Sequence, residues 1–122
     1  MESRVVRIWS TGIDESRSPE YNDFTVSTSL PMFRRHSGFL GVLFAGAASE
    51  RAVITIWSDQ AAVAALEASA DYKDTVRMLE ATGFLRPPQR VERLAVHGSW
   101  AEPFSHAVWN VHNIDEREAR RR

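Results

Sequence analysis

Cysteine is absent from the 122 residues, which excludes disulfides, thiolate metal sites and thiol nucleophiles. Its absence fits a reducing compartment, as it also fits many exported proteins. Charge of one sign is lacking too. Fifteen basic residues against 16 acidic leave a net charge of −1, so nothing draws the chain as a whole to nucleic acid or to an anionic membrane. The longest apolar run, 39–48, falls well short of the roughly 20 residues needed to span a bilayer. The opening Met-Glu-Ser-Arg-Val-Val-Arg-Ile-Trp-Ser has no apolar core of the signal-peptide kind. No glycine-rich loop joins a strand to a helix, and no nucleophile elbow is present. His36, His97, His106 and His112 are scattered, the last two in an irregular segment and not one helical turn apart. These absences predict a soluble, cytoplasmic, single-domain protein with no cofactor and no metal, and with neither nucleic acid nor membrane as a partner. There are no internal repeats.

What is present is organised around residues 39–69. Two apolar segments, 39–45 and 52–57, flank a short Gly/Ala/Ser/Glu bend and are followed by an Ala-rich amphipathic run. The second segment is β-branched, and the pattern predicts a hairpin. Neither strand alternates cleanly. Phe39, Gly41, Leu43 and Ala45 would point one way, with Leu40, Val42 and Phe44 the other, so both faces are apolar. A strand buried on both faces needs apolar cover on each side. The chain's own helices supply one cover, and a second copy of the chain is the simplest source of the other.

Around this hairpin, residues 4–10 read as a first strand and 11–18 as a polar loop. Ser18-Pro19-Glu20 opens a helix with a hydroxyl N-cap, proline in the first turn and an acid after it. Tyr21, Phe24 and Thr28, with Leu30 near, would form its inward stripe, and Pro31 should kink or end it, with 32–35 as a further turn. Ser58 or Asp59 caps a helix over 60–68, with Val63 and Leu66 inward. Asp71 caps another over 72–82, closed by Gly83 in a left-handed conformation with Phe84 folding back on Leu79. Pro87-Pro88 stops the helix, and 90–97 is the last strand. The order β-α-β-β-α-β predicts an α+β, ferredoxin-like antiparallel sheet with helices on one face. The other face, carrying either Val5 and Trp9 or Val6 and Ile8, would be bare, and face-to-face homodimerisation would cover it. Residues 1–98 form the domain. Residues 99–122 form an arm and a charged tail, in which Trp100, Phe104 and Trp109 carry enough aromatic surface to require a packing partner, the second subunit above all.

The pattern resembles the antibiotic biosynthesis monooxygenase family of dimeric α+β barrels. The resemblance is carried by residues 21–24, by Ser37-Gly38-Phe39-Leu40-Gly41-Val42, and by Thr55-Ile56-Trp57-Ser58-Asp59. Ser69-Ala70-Asp71-Tyr72 and residues 91–97 complete it. Ser37 stands where the family commonly has proline. The resemblance implies a homodimer with a pocket between sheet and helices in each protomer, and relatives that include cofactor-free oxygenases and haem-degrading enzymes. Leu66 and Val76 fall where haem-degrading relatives carry tryptophan and the haem-ligating histidine, which argues against haem.

A cofactor-free oxygenase requires a group that favours the substrate's phenolate or enolate, and an apolar cavity that excludes water. The candidates are Tyr72 and His97 as proton-managing groups, and Trp57, Arg7 and His36 as binding groups for a small hydrophobic or aromatic ligand. Each has a plainer reading. Trp57 reads first as a core tryptophan with its indole N–H satisfied. Tyr72 can be a first-turn packing residue, His97 a surface or interface histidine, and His36 an exposed residue before a glycine turn. Arg7 would need a carboxylate, with Glu92 on the paired strand the candidate. Two functions therefore stand. One is a cofactor-independent monooxygenase of a small aromatic or quinol-like substrate, and the other a non-catalytic or ligand-binding barrel protein. They separate on whether the pocket is open and lined by Tyr72, His97 or Trp57, or filled by Phe24, Phe33 and Leu66.

Overall fold

A computed structural model describes residues 3–100 of the chain. Four strands, β1 (Val5–Ile13), β2 (Phe39–Ala47), β3 (Glu50–Trp57) and β4 (Leu85–Ala95), form one antiparallel sheet in the order β2-β3-β1-β4. Helices α1 (Ser18–Phe24), α2 (Leu30–Arg34), α3 (Gln60–Ala68) and α4 (Ala70–Ala81) complete the β-α-β-β-α-β order. The fold is α+β and ferredoxin-like. No helix among the described residues is long and apolar enough to cross a membrane.

Alternation along the strands assigns the two faces of the sheet. Val5, Arg7, Thr11 and Ile13 are buried on the helical side of β1, as are Val53, Thr55 and Trp57 on β3. Val6, Ile8, Ile54 and Ile56 therefore lie on the bare side, in register with exposed Leu43 and Leu94. The alternation expected for the hairpin breaks at its start. The register shifts between Phe39 and Gly41, so Leu40 bulges out and Phe39 joins Val42 and Phe44 against the core.

Several boundaries differ from expectation for local reasons. β1 runs on through Thr11-Gly12-Ile13 because Gly12 lets β4 approach closely: a Cβ there would meet the Arg86 carbonyl at 2.9 Å. β4 begins at Leu85 and contains Pro87 and Pro88, tolerated because β4 is an edge strand whose register against β1 shifts there. Ser18 does not cap α1; Arg17 holds that position, and the Ser18 hydroxyl donates to the Glu15 carbonyl. Pro31 does not end the helical path. The chain widens into a π turn over Thr25–Ser29, with the Leu30 amide reaching back to the Thr25 carbonyl, and then continues as α2. The inward stripe accordingly uses Tyr21, Thr25, Ser29, Met32 and Phe33 rather than Thr28. Asp59 caps α3 as expected, whereas α4 is capped by the Ser69 hydroxyl and not by Asp71. Gly83 is left-handed at φ 79°, and Phe84 packs with Leu79. Past Trp100, the arm and tail expected at the C-terminus lie outside the described residues.

Trp57 is fully buried. Phe39 and Phe33 meet it edge-on, at ring-centroid distances of 5.5 and 6.3 Å. Val5, Met32, Val53, Val63 and Leu66 close this larger core, while Ile13, Tyr21, Leu79 and Phe84 form a second, and Trp9 packs against both.

The β2–β3 turn is Ala48-Ser49, and Ala48 is held at φ 53°, a conformation that a Cβ disfavours. Ala48→Gly should raise the unfolding free energy by about 0.5–1 kcal/mol after glycine's own entropic cost, and with it the midpoint of denaturant unfolding. An unchanged or lower midpoint would contradict this.

Candidate functional site

The site is built on Arg7, a cation 3 % exposed in the middle of the helix-facing side of β1. A buried guanidinium must have its donors met. Arg7 Nε donates to Glu67 Oε2 at 2.7 Å, and one terminal nitrogen donates to the Tyr72 hydroxyl, also at 2.7 Å. The same guanidinium lies 5.0 Å from the centre of the Tyr72 ring. Arg93, opposite Arg7 on β4, adds hydrogen bonds to Glu67 at 2.6–3.2 Å. Glu67, not Glu92, is thus the carboxylate that Arg7 requires; Glu92 pairs with Ile8 and so belongs to the bare face. Burial works to raise the Glu67 carboxyl's pKa, but the hydrogen bonds from Arg93 and Arg7, together with their charges, outweigh it and leave the carboxyl below its ordinary range. It stays ionised near neutral pH and has no proton to give.

Two spaces adjoin this cluster. A narrow apolar cavity of about 40 Å³ lies between sheet and helices, with Trp9, Tyr21, Phe24, Met32, Phe33 and Val53 in its wall beside Arg7 and Tyr72. An open cleft of about 400 Å³ lies between α4 and β4, walled by Trp9, Tyr72, Lys73, Val76, Arg77, Gln89 and Val91. Trp9, Tyr72 and Val76 belong to both. The charged members of the cleft wall, Lys73 and Arg77, are cations.

Tyr21 is the unexpected member. It is 3 % exposed, and its hydroxyl has no hydrogen-bond partner among the described residues. Burial pushes its phenol well above the usual range, so it stays protonated. An unpaired buried hydroxyl costs about 1–3 kcal/mol. Thr25 in the same wall is satisfied by its own helix, through the Asn22 carbonyl.

Of the five residues singled out from the sequence, the structure brings Arg7 and Tyr72 together. Trp57 takes the core role, its indole N–H donating to the Thr55 hydroxyl at 2.8 Å. His36 sits 3.2 Å from Asp71, which also pairs with Arg35, and this group ties the end of α2 to the start of α4. His97 is exposed just beyond β4. Trp57, His36 and His97 line neither space. The sequence reading missed Glu67, Arg93, Trp9 and Tyr21. Glu67 had one usable signal: it is the only acid in α3. Among the described residues, no three His, Asp or Glu side chains converge as metal ligands would.

No known family profile matches the chain, and no curated protein sequence does either. Solved structures do match. SnoaB of Streptomyces nogalater, a cofactor-independent oxygenase, superposes with a TM-score of 0.67 at 14 % identity, over 82 % of this chain and 99 % of its own. A candidate antibiotic biosynthesis monooxygenase of Caulobacter crescentus gives 0.68 at 8 % identity, over 80 % and 92 %. A Nitrosomonas europaea protein of unknown function gives 0.66 at 16 %, over 84 % and 97 %. The chain shares its fold with these proteins. At these identities the likeness concerns architecture, and the chemistry must be argued from the site.

The ion cluster makes a pH prediction. Glu67's carboxyl lies below its ordinary 4.5 in the folded chain, so its contribution is whole above that pH and drains away as pH falls through the folded value. Glu67→Gln should cost on the order of 2 kcal/mol at pH 7, less than a fully buried pair because Glu67 is 24 % exposed. It should also flatten the acid limb of the stability curve. An equally steep acid limb in the variant would place that titration elsewhere.

Proposed function

We propose that the protein is a cofactor-independent monooxygenase of a small, electron-rich aromatic of the phenol, anthrone or quinol type. The observation that carries this reading is the 2.7 Å hydrogen bond from Arg7, in the wall of the narrow cavity, to Tyr72, which lines both the cavity and the open cleft. Since Arg7 donates to the Tyr72 oxygen, the Tyr72 O–H remains to donate outward. In the cleft it would meet a substrate oxygen and, with Lys73 in the same wall, favour the substrate's anion. That anion can itself reduce dioxygen. For an anthrone, the anion, one dioxygen and one proton yield a quinone and water: one oxygen atom becomes the new carbonyl and the other leaves as water. Trp9 and Val76 would supply apolar walls for the ring, and the cleft volume lies within the range of small-molecule sites. Glu67, held ionised by two arginines, fixes the geometry and takes no part in proton transfer.

The purified chain should consume dioxygen with an anthrone or a quinol, with no flavin, metal or haem added. Tyr72→Phe should slow turnover by on the order of 10²-fold while leaving the circular dichroism spectrum unchanged. If a panel of electron-rich phenols gave no oxygen uptake, the second reading, a ligand-binding barrel protein, would take its place. The feature favouring that alternative is how far Phe24 and Phe33 already fill the space between sheet and helices.

A cytoplasmic homodimer joined through the bare sheet face belongs to the same reading. Val6, Ile8, Ile54, Ile56, Leu43 and Leu94 give that face an apolar character that a second copy would cover. Sedimentation at micromolar concentration should give a dimer, and Leu43→Glu should shift it toward monomer without unfolding the chain. A monomeric wild type would refute the dimer.

A further inference from the structure

We propose that the narrow cavity is a dioxygen site set behind the aromatic cleft, and that the Tyr21 hydroxyl is the donor that meets the oxygen as it is reduced. The inference rests on the oxygenase reading and extends it to the second reactant.

Size decides first. A water-sized guest needs roughly 10–15 Å³, and benzene is held by an apolar cavity of about 150 Å³. At about 40 Å³ the cavity has room for a diatomic molecule but not for a ring. The cleft is some ten times larger and open, so the aromatic belongs there. The shared wall of Trp9, Tyr72 and Val76 places the two reactants side by side.

Polarity decides next. Water in a cavity needs two to four polar partners. Arg7 is engaged by Glu67 and Tyr72, and Thr25 and Thr75 by carbonyls of their own helices; the other polar side chains in the wall are Ser29 and Tyr21 itself. A mainly apolar space suits a neutral apolar gas better than water.

The unpaired Tyr21 hydroxyl then acquires a use. Neutral dioxygen is a poor hydrogen-bond acceptor, whereas superoxide is a strong one. When the aromatic anion passes one electron to dioxygen, an aromatic radical and superoxide form, and their recombination makes the new C–O bond. Tyr21 gives up no proton in this step; it donates a hydrogen bond to oxygen carrying the new negative charge. A donor idle in the ground state and engaged only as charge appears lowers the barrier rather than tightening binding.

The test has two arms. Crystals of the full chain pressurised with xenon should hold xenon in the cavity beside Tyr21. Tyr21→Phe should lower kcat/KM for dioxygen by on the order of 10²-fold, leave KM for the aromatic unmoved, and melt no lower than the wild type. An active wild type with no xenon in the cavity, with an ordered water on the Tyr21 hydroxyl, or with an unchanged oxygen dependence in Tyr21→Phe would overturn this proposal alone. A wild type that binds xenon there yet oxidises no aromatic would overturn the oxygenase reading and the role of Tyr21 in reduction, leaving the cavity as a gas site only.

Discussion

One buried cation governs how this protomer is put together. Removing the Arg7 guanidinium from water is costly unless each of its donors finds a partner. Those partners come from two different helices: Glu67 lies near the end of α3, and Tyr72 in the first turn of α4. Sheet and helical layer are therefore joined by directed bonds as well as by apolar contact. Apolar side chains tolerate small slides of a helix over a sheet; a guanidinium with two fixed acceptors does not. The Ser69 cap between α3 and α4, which receives the Tyr72 amide at 3.1 Å, sets the bend that lets both acceptors reach one cation. The same arrangement puts Tyr72 in the wall common to the narrow cavity and the open cleft.

The likeness to SnoaB and its structural neighbours at 8–16 % identity shows how little of the fold depends on particular residues. What the superposition shows in common is the architecture, in this chain a four-stranded antiparallel sheet with its helices on one face. Function does not travel with such an architecture. The case for oxygen chemistry therefore rests on the Arg7–Tyr72 pair and the two unequal spaces that Tyr72 lines.

The fold was legible because its signals are periodic. The apolar runs of β2 and β3, the Asp59 cap, and Gly83 with Phe84 behind it each point to one local structure, and these agree with one another. The errors arose where tertiary contact overrides local chemistry. Pro87-Pro88 looks like a barrier until its place on a sheet edge is known. Leu40 and Phe39 exchange expected faces because of a bulge that composition does not encode. Thr25 and Ser29 were hidden as core positions because a hydroxyl reads as polar, although Thr25 hydrogen-bonds within its own helix and is buried like an apolar residue. At the site, Arg7 and Tyr72 could be picked out by residue type. Glu67 stood out only as the one acid of α3, and its link to residue 7 exists only once α3 lies over β1. Tyr21 gave no sign of being unpaired, since that depends on what fails to surround it.

The two prolines of β4 bear on how the sheet meets its surroundings. A sheet edge is a row of donors and acceptors that any extended chain can join, and such joining has no natural end point. Pro87 and Pro88 offer no amide hydrogen, so the first half of that border is a poor template for a newcomer strand. Growth by strand addition is discouraged there, while the broad face of the sheet remains open to a matching surface. Association through a face is finite, because two copies that cover one another leave nothing for a third. The prolines thus steer the chain away from ribbon-like growth along this edge, without contributing to the buried core.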